Sequence, residues 1–519
     1  MNTPNKLTLN SALFAYMILS LALSAWAQNP LGESHCLQEG ARESPSRYKS
    51  PGGDMTRRLL FWNEIALNAN ARDHARVAPL IPDQGGPLRT ARAFAIVHIA
   101  MFDAFNAIVG GYESYTGLGP ASLDEDIDCD RSRASVDAAI AQSAGDTLIA
   151  LFPSQAENIE DIQRADLRTI PNGPAKNAGR RIGRRAAELI LGIRSNDGAQ
   201  QPEPLYNVTG GYIPNPAIGK WRQDPISLTP IALGAFWARD QNGNLRKGLP
   251  FVVRSADQFK APPPPALTSA AYAKAFNELK RLGGDGVFTP TERTADQTIA
   301  GIFWAYDGTP FLGTNPRLYN QIAAQISEQM QTRGIELARL LALVNVAMSD
   351  AALACFDTKY QEEFWRPITA IRQGENDNNP DTIGDPNFVP LGAPASNTSG
   401  PNFTPPFPSY TAGHSTIGGA LFQTLRRFYR SDEIAFSFVS DEFNGVTRDN
   451  KGMVRPFIRR RFKSLSDAEA ENGRSRIFLG IHWSFDNTEG IKQGNLVADY
   501  VFDNSFRRET HRRGLKDEE

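Results

Sequence analysis

The sequence predicts an all-α protein, and three observations carry that expectation. Apolar residues recur three and four apart along most ordered-looking stretches, alternating strand patterns are scarce, and one central proline-rich stretch interrupts the helical periodicity. The 519 residues are 41% hydrophobic and 22% charged, enough apolar material to bury a large core and too much for a disordered chain. The formal net charge of -2 supplies no field for nucleic acid or an anionic membrane, so a polybasic nucleic-acid binder is excluded.

The chain opens with Lys6, an apolar run over 12–23 and the small-x-small triplet Ala25-Trp26-Ala27, the pattern of a secretory signal. A run of this length cannot cross about 30 Å of hydrocarbon at about 1.5 Å per residue, which argues against an anchor. Residues 1–27 are therefore expected to be a removed signal peptide, leaving a periplasmic or secreted protein without membrane insertion. Cys36, Cys129 and Cys355 are too few for a disulfide scaffold; export would permit a Cys36–Cys129 bridge, with Cys355 a buried thiol in an apolar helix.

Helical periodicity covers 57–70, 88–108, 132–151 and 175–191. It fails over 201–265, which carries Pro202, Pro204, Pro214, Pro216, Pro225, Pro230 and the run Pro262 to Pro265, and a subdomain boundary is expected there. Thr289-Pro290-Thr291-Glu292 has the form of a capping box that starts a helix running to 306. Further helices are expected at 316–331, 336–372, 414–429, 432–443, 465–482 and 486–502, with a long polar loop over 374–407.

Three segments carry chemistry. Lys359 and Arg366 lie seven apart, two turns of the expected helix, so both cations would leave one face. Their bland alternative is a solvated basic stripe. Gly413 directly precedes His414 at an expected helix start, where free backbone N–H groups and the positive dipole end suit an anion. Arg476, His482 and Asp486 follow, with the carboxylate placed to hold one imidazole tautomer. Together they offer three cations, two histidines and a carboxylate to one tetrahedral oxyanion. By contrast His98, on an apolar helix, reads as a core histidine; His35, His74 and His511 carry no argument, and the run Arg455, Arg459, Arg460, Arg461, Lys463 reads as a solvated loop face.

The pattern K-x6-RP, then a Gly-His helix start, then SR-x5-H-x3-D resembles the vanadium-dependent haloperoxidases, within the superfamily shared with type 2 phosphatidic acid phosphatases and bacterial class A acid phosphatases. FWAYDG (303–308), PRLYNQI (316–322), LGAPASNT (391–398), GHSTIGGALFQ (413–423) and SRIFLGIHWSFD (475–486) are similar to the fungal chloroperoxidase type, and the likeness covers most of 60–506. The resemblance implies two packed four-helix bundles, here 28–265 and 266–519, with the vanadate cofactor in the second. It implies that Lys359, Arg366, Arg476 and the Gly413 amide bind vanadate oxygens, that His482 is the axial vanadium ligand, and that His414 is the acid–base residue. Asp307 would buttress Arg476, and Asp486 would hold the second nitrogen of His482. Hydrogen peroxide and halide would be the substrates, with a small organic acceptor as a further partner.

Two positions depart from the family pattern. Ala412 stands where the motif PSGH has Ser, and Phe356 stands where fungal enzymes have Trp near the halide region, whereas Phe407 matches. The competing readings are a phosphomonoesterase, in which His482 attacks phosphorus and His414 protonates the leaving oxygen, and a non-enzymatic oxyanion-binding protein.

Overall fold

The computed structural model describes residues 52–76, 81–119, 133–246 and 248–509. The signal segment, Cys36, Cys129, His35 and His511 lie outside the described residues. The fold is mostly helical, as expected, with two small two-stranded sheets.

The first group of helices comprises α1 (Met55–Asp73), α2 (Gly86–Val109), α3 (Val136–Leu151), α4 (Ala156–Arg168) and α5 (Pro174–Ile193). Their starts follow from the sequence: the Asp54 carboxylate accepts from the Thr56 and Arg57 amides, Ser135 caps α3, and Pro87 and Pro174 occupy first-turn positions where a missing N–H costs nothing. The second group comprises α6 (Ala270–Leu282), α7 (Ala295–Phe303), α8 (Asn315–Gln329), α9 (Gly334–Glu362), α10 (Pro367–Arg372), α11 (Gly413–Tyr429), α12 (Leu465–Phe478) and α13 (Ser484–Asn504). Strands β1 (Asp307–Thr309) and β2 (Gly313–Thr314) form one antiparallel pair, and β3 (Phe436–Asn444) and β4 (Phe457–Phe462) the other.

Helix α9 is the axis of the molecule. It packs against α2 on one side and against α11 and α13 on the other, so the largest apolar core runs without a break from Leu59 through Phe94 and Ile140 to Leu341, Ala354 and Val501. Both α2 and α9 have the length and hydropathy of membrane spans, but their apolar windows are buried inside this core. The described residues of the 201–265 stretch contain no helix or strand, and the stretch is pinned to α9: the Asp350 carboxylate accepts from the Phe251, Val252 and Val253 amides at 2.7, 2.8 and 2.9 Å.

Five sequence expectations are corrected. The helix expected over 336–372 is two helices, because Glu363 turns left-handed (φ 49°) and Arg366, preceding Pro367, is extended. Lys359 and Arg366 therefore do not share a helix face. The stretch expected as helix over 432–443 contains strand β3, in which Phe436, Phe438, Ser440 and Glu442 point inward in strict alternation. The helix expected after Thr289 begins at Ala295, where Thr294 and Gln297 form the capping box; Thr289 instead accepts from the Val389 amide at 2.7 Å. The helix expected to reach His482 stops at Phe478, because Gly480 (φ 74°) lies so close to the Gly283 carbonyl that a Cβ would sit 2.5 Å from it. Finally, the basic run is mostly strand β4, and Arg455 is not solvated: it is buried against Glu442 and Ser396. Helices α4 and α6 carried signals that sequence reading passed over.

Candidate active site

The three motif segments meet at the end of a large cavity whose lining includes Asp307, Phe407, Gly413, His414, Arg476 and His482. Lys359 arrives from the last turn of α9, Arg366 from the N-terminus of α10, Gly413 and His414 from the first turn of α11, Arg476 from the last turns of α12, and His482 with Asp486 from the start of α13. Lys359, Arg366, Arg476, His482 and Asp486 are each no more than 2% exposed. Such burial of charge is costly unless the groups are paired or serve a ligand.

The Lys359 ammonium donates to the Pro408 and Ser409 carbonyls, both at 2.9 Å, and to the Thr411 carbonyl. Its three N–H groups are thereby used, so it holds the loop before α11 and contributes charge. Arg366 donates Nε to the Phe407 carbonyl at 2.8 Å and Nη1 to the Ile481 carbonyl at 2.8 Å and to His482 Nε2 at 2.9 Å. Arg476 donates Nη2 to Asp307 Oδ1 at 2.6 Å. Yet Arg366 Nη2 and Arg476 Nε and Nη1 are buried N–H nitrogens without a partner. Beside them, a Cβ built on Gly413 would meet nothing within 4 Å, and α11 has no side-chain cap competing for its first amides.

His482 Nδ1 donates to Asp486 Oδ2 at 2.8 Å, which leaves the lone pair on Nε2, the nitrogen facing Arg366. His414 Nε2 lies against the Ala305 carbonyl, so its proton belongs there and Nδ1 is the basic atom. Burial, then the nearby Arg476 and Lys359 charges, hold His414 well below the ordinary histidine range, and burial with Arg366 does the same for His482. Burial also lowers the Lys359 ammonium and raises Asp486 and Asp307, the last opposed by Arg476. Phe407 lies over both cations, with Lys359 Nζ 5.0 Å and the Arg366 guanidinium carbon 4.9 Å from its ring centre, and Phe356 packs on it at 5.1 Å.

Unpartnered guanidinium N–H groups, an open glycine and a helix N-terminus fit a small tetrahedral oxyanion. The comparisons agree with this chemistry. A family model described as VCPO second helical-bundle domain matches residues 339–509. The vanadium chloroperoxidase of Curvularia inaequalis is 32% identical over 491 residues, covering 83% of this chain and 79% of that protein. The chain belongs to the vanadium-dependent haloperoxidase family. The fold of this haloperoxidase is also that of the first bacterial vanadium-dependent iodoperoxidase, with a TM-score of 0.65 at 22% identity over 87% of this chain and 97% of that one. A holo-type bacterial vanadium-dependent chloroperoxidase gives a TM-score of 0.57 at 16% identity, over 85% and 97%.

The cluster brings together Lys359, Arg366, Gly413, His414, Arg476, His482, Asp486, Asp307, Phe407 and Phe356, and adds several residues that the motifs did not mark. Ser409 donates to Asp486 Oδ2, so its hydroxyl is committed there and does not replace the Ser lost at Ala412. Tyr319 and Asn472 both donate to the His414 carbonyl at 2.9 Å, fixing the first turn of α11. Thr411, whose carbonyl accepts from Lys359, is held by Gln493 at 2.9 Å. These are ordinary polar residues in helices, and only the packing shows which of them face the site. His98, as expected, is a core residue, with Nε2 2.9 Å from Asn63 Oδ1.

Proposed function

We propose that this protein binds vanadate in the cluster described above and oxidises halide with hydrogen peroxide to a hypohalous-acid equivalent. The observation that carries the reading is the set of buried N–H groups on Arg366 and Arg476 left without partners beside the open Gly413. Arg366, Arg476 and the Gly413 amide would hold the oxyanion, and His482 Nε2 would ligate vanadium. The chemistry that vanadate supplies when bound is Lewis-acid activation of peroxide towards attack by halide.

The residues of this chain do the rest. Asp486 fixes the Nδ1–H tautomer of His482 and so keeps Nε2 a donor of its lone pair. His414, held unprotonated by burial and cationic neighbours, takes the proton that peroxide must lose, at Nδ1. The imidazolium it becomes is then the acid that returns a proton to the departing oxygen. Lys359 and the arginines, themselves almost wholly buried, neutralise anionic charge where low surrounding polarity makes each such contact strong. Asp307 fixes Arg476 and limits the excess positive charge.

Monochlorodimedone halogenation by peroxide and bromide or chloride, with and without added vanadate, tests the reading, with p-nitrophenyl phosphate hydrolysis as the counter-assay. Vanadate-dependent halogenation is expected; phosphate ester hydrolysis without it would overturn the reading in favour of a phosphatase. We also place the mature protein outside the cytoplasm, a reading supported by the apolar run over 12–23 and Ala25-Trp26-Ala27. Mass spectrometry should then find the mature N-terminus at Gln28.

A further inference from the structure

One residue separates the acceptors that hold His414 and Arg476. The Ala305 carbonyl accepts from His414 Nε2, and the Asp307 carboxylate accepts from Arg476 Nη2 at 2.6 Å. Tyr306 joins the two, fully buried and left-handed, with φ 46°. Rotation about its N–Cα bond sets the angle between the peptide that carries the Ala305 carbonyl and the backbone that carries Asp307. The observed angle of 46° stands about 110° from the helical φ of about −63°. With the chain fixed on either side, a relaxed Tyr306 would turn one of the two acceptors away from its donor.

A left-handed conformation is unfavourable for an aromatic residue and persists where surrounding contacts over-determine it. Here those contacts act on the far end of the side chain. The Tyr306 hydroxyl accepts from the Asp441 amide of β3 at 2.7 Å and donates to Gln321 Oε1 of α8 at 3.0 Å. Burial pushes the phenol well above its ordinary range, so the donated proton stays in place. Asp441 Oδ2 in turn accepts from Gln321 Nε2 at 3.0 Å and from Arg317 Nη1 at 2.6 Å, and Arg317 Nε donates to the Leu67 carbonyl of α1 at 3.0 Å. The hydroxyl is thereby fixed to a network on β3, α8 and α1, elements that carry none of the oxyanion-binding groups. A phenylalanine would fill the same core space, so what the hydroxyl adds is a fixed orientation.

Resting on the haloperoxidase reading, we infer that Tyr306 is a positioning residue. Its pinned hydroxyl holds the left-handed turn that aims the Ala305 carbonyl at His414 and the Asp307 carboxylate at Arg476, and so sets proton transfer and oxyanion binding together.

Tyr306→Phe removes the pin and keeps the ring. It should weaken vanadate binding about tenfold by calorimetry and lower the turnover of bromide oxidation about tenfold, since a displacement of about 1 Å can cost about 10²-fold. Gln321→Met, which removes the acceptor of the hydroxyl proton, should do the same more weakly, and the cycles below are read with it where Tyr306→Phe does not fold. The deciding readout is where each loss disappears. In an Asp307→Asn background, Tyr306→Phe should change vanadate affinity less than about twofold, and in a His414→Ala background it should change the residual turnover less than about twofold. A general loosening of the core would instead subtract the same factor in every background. The full loss persisting in either background, or no loss in the single variants, overturns the inference. Failure of the unmodified protein to bind vanadate would defeat the haloperoxidase reading, and crystal structures then decide: in Tyr306→Phe the Asp307–Arg476 and Ala305–His414 contacts should open beyond hydrogen-bond distance, and their persistence overturns the inference.

Discussion

Two buried arginines of the first half of this molecule behave differently from two of the second. In the first, Arg58 is fully buried and saturated: Nε bonds Asp166 at 3.0 Å, Nη2 bonds Asp166 and Thr169 at 3.1 Å, and Nη1 bonds Asp137. Arg194 is likewise spent on Asp197 and the Leu249 and Pro250 carbonyls. In the second, Arg366 and Arg476 are as deeply buried, yet retain N–H groups without partners. A guanidinium whose donors all find protein acceptors is part of the scaffold; one whose donors do not is carried by the fold for something else. The distinction lies in partners and not in burial.

The sharpest way to break that comparison is to exchange the roles. Arg58→Met strands the buried Asp166 carboxylate, with half-buried Asp137 beside it, and should destabilise the protein by about 3 to 5 kcal/mol, seen as a large fall in the thermal midpoint. Arg476→Met combined with Asp307→Asn should change that midpoint little, yet weaken vanadate binding at least a hundredfold by calorimetry, since two charge-assisted bonds worth about 1.5 to 3 kcal/mol each are lost. Equal stability losses in the two variants would end the distinction.

Next in size is the division between the two site histidines. His414→Ala should cost about 10² to 10⁴ in turnover while vanadate still binds, because its part is proton transfer. His482→Ala should lose the bound vanadate itself, measured as vanadium retained after gel filtration. Retention in both would remove His482 as the ligand.

Histidines outside the site sharpen the contrast through pH. Burial depresses His98 and His74 to about 4 in the folded chain, against about 6.5 when unfolded. Because the unfolded chain takes the proton first, their contribution to stability is complete above pH 6.5 and is lost as pH falls towards 4, by up to about 3 kcal/mol for each. The thermal midpoint of His98→Gln should therefore fall less steeply between those pH values than that of the unmodified protein.

The smallest effect is expected at Ala412, the N-cap of α11. A serine there can cap the helix, worth about 1 kcal/mol, or donate to the oxyanion. Ala412→Ser should tighten vanadate binding by about tenfold if it donates, and raise only the thermal midpoint if it caps. Neither change would mean that the loop geometry excludes the hydroxyl.

Much of the helical layout was legible because amphipathic periodicity and caps are local: α1, α2, α3, α5, α8, α11 and α13 start and stop close to where spacing, proline and glycine place them. The misses have local rivals. Thr289 and Thr294 both head a Thr-x-x-Glu/Gln pattern, and the choice fell to the second because Thr289 is taken by the Val389 amide of a distant loop. The β3 segment became a strand because its alternate residues meet β4 and the core beneath.

The sequence by itself determined which groups are suited to an oxyanion and the helix termini near them, because side-chain chemistry and N-terminal amides are properties of short segments. Only the tertiary structure decided what those groups do. Lys359 and Arg366 come together from separate helices, with Lys359 spent on the loop carbonyls and Arg366 left with a donor to give. Ser409, Tyr319, Asn472 and the walls of the cavity join the site from positions up to hundreds of residues apart. Whether a buried donor finds a partner depends on what the rest of the chain packs against it, and no local pattern carries that information.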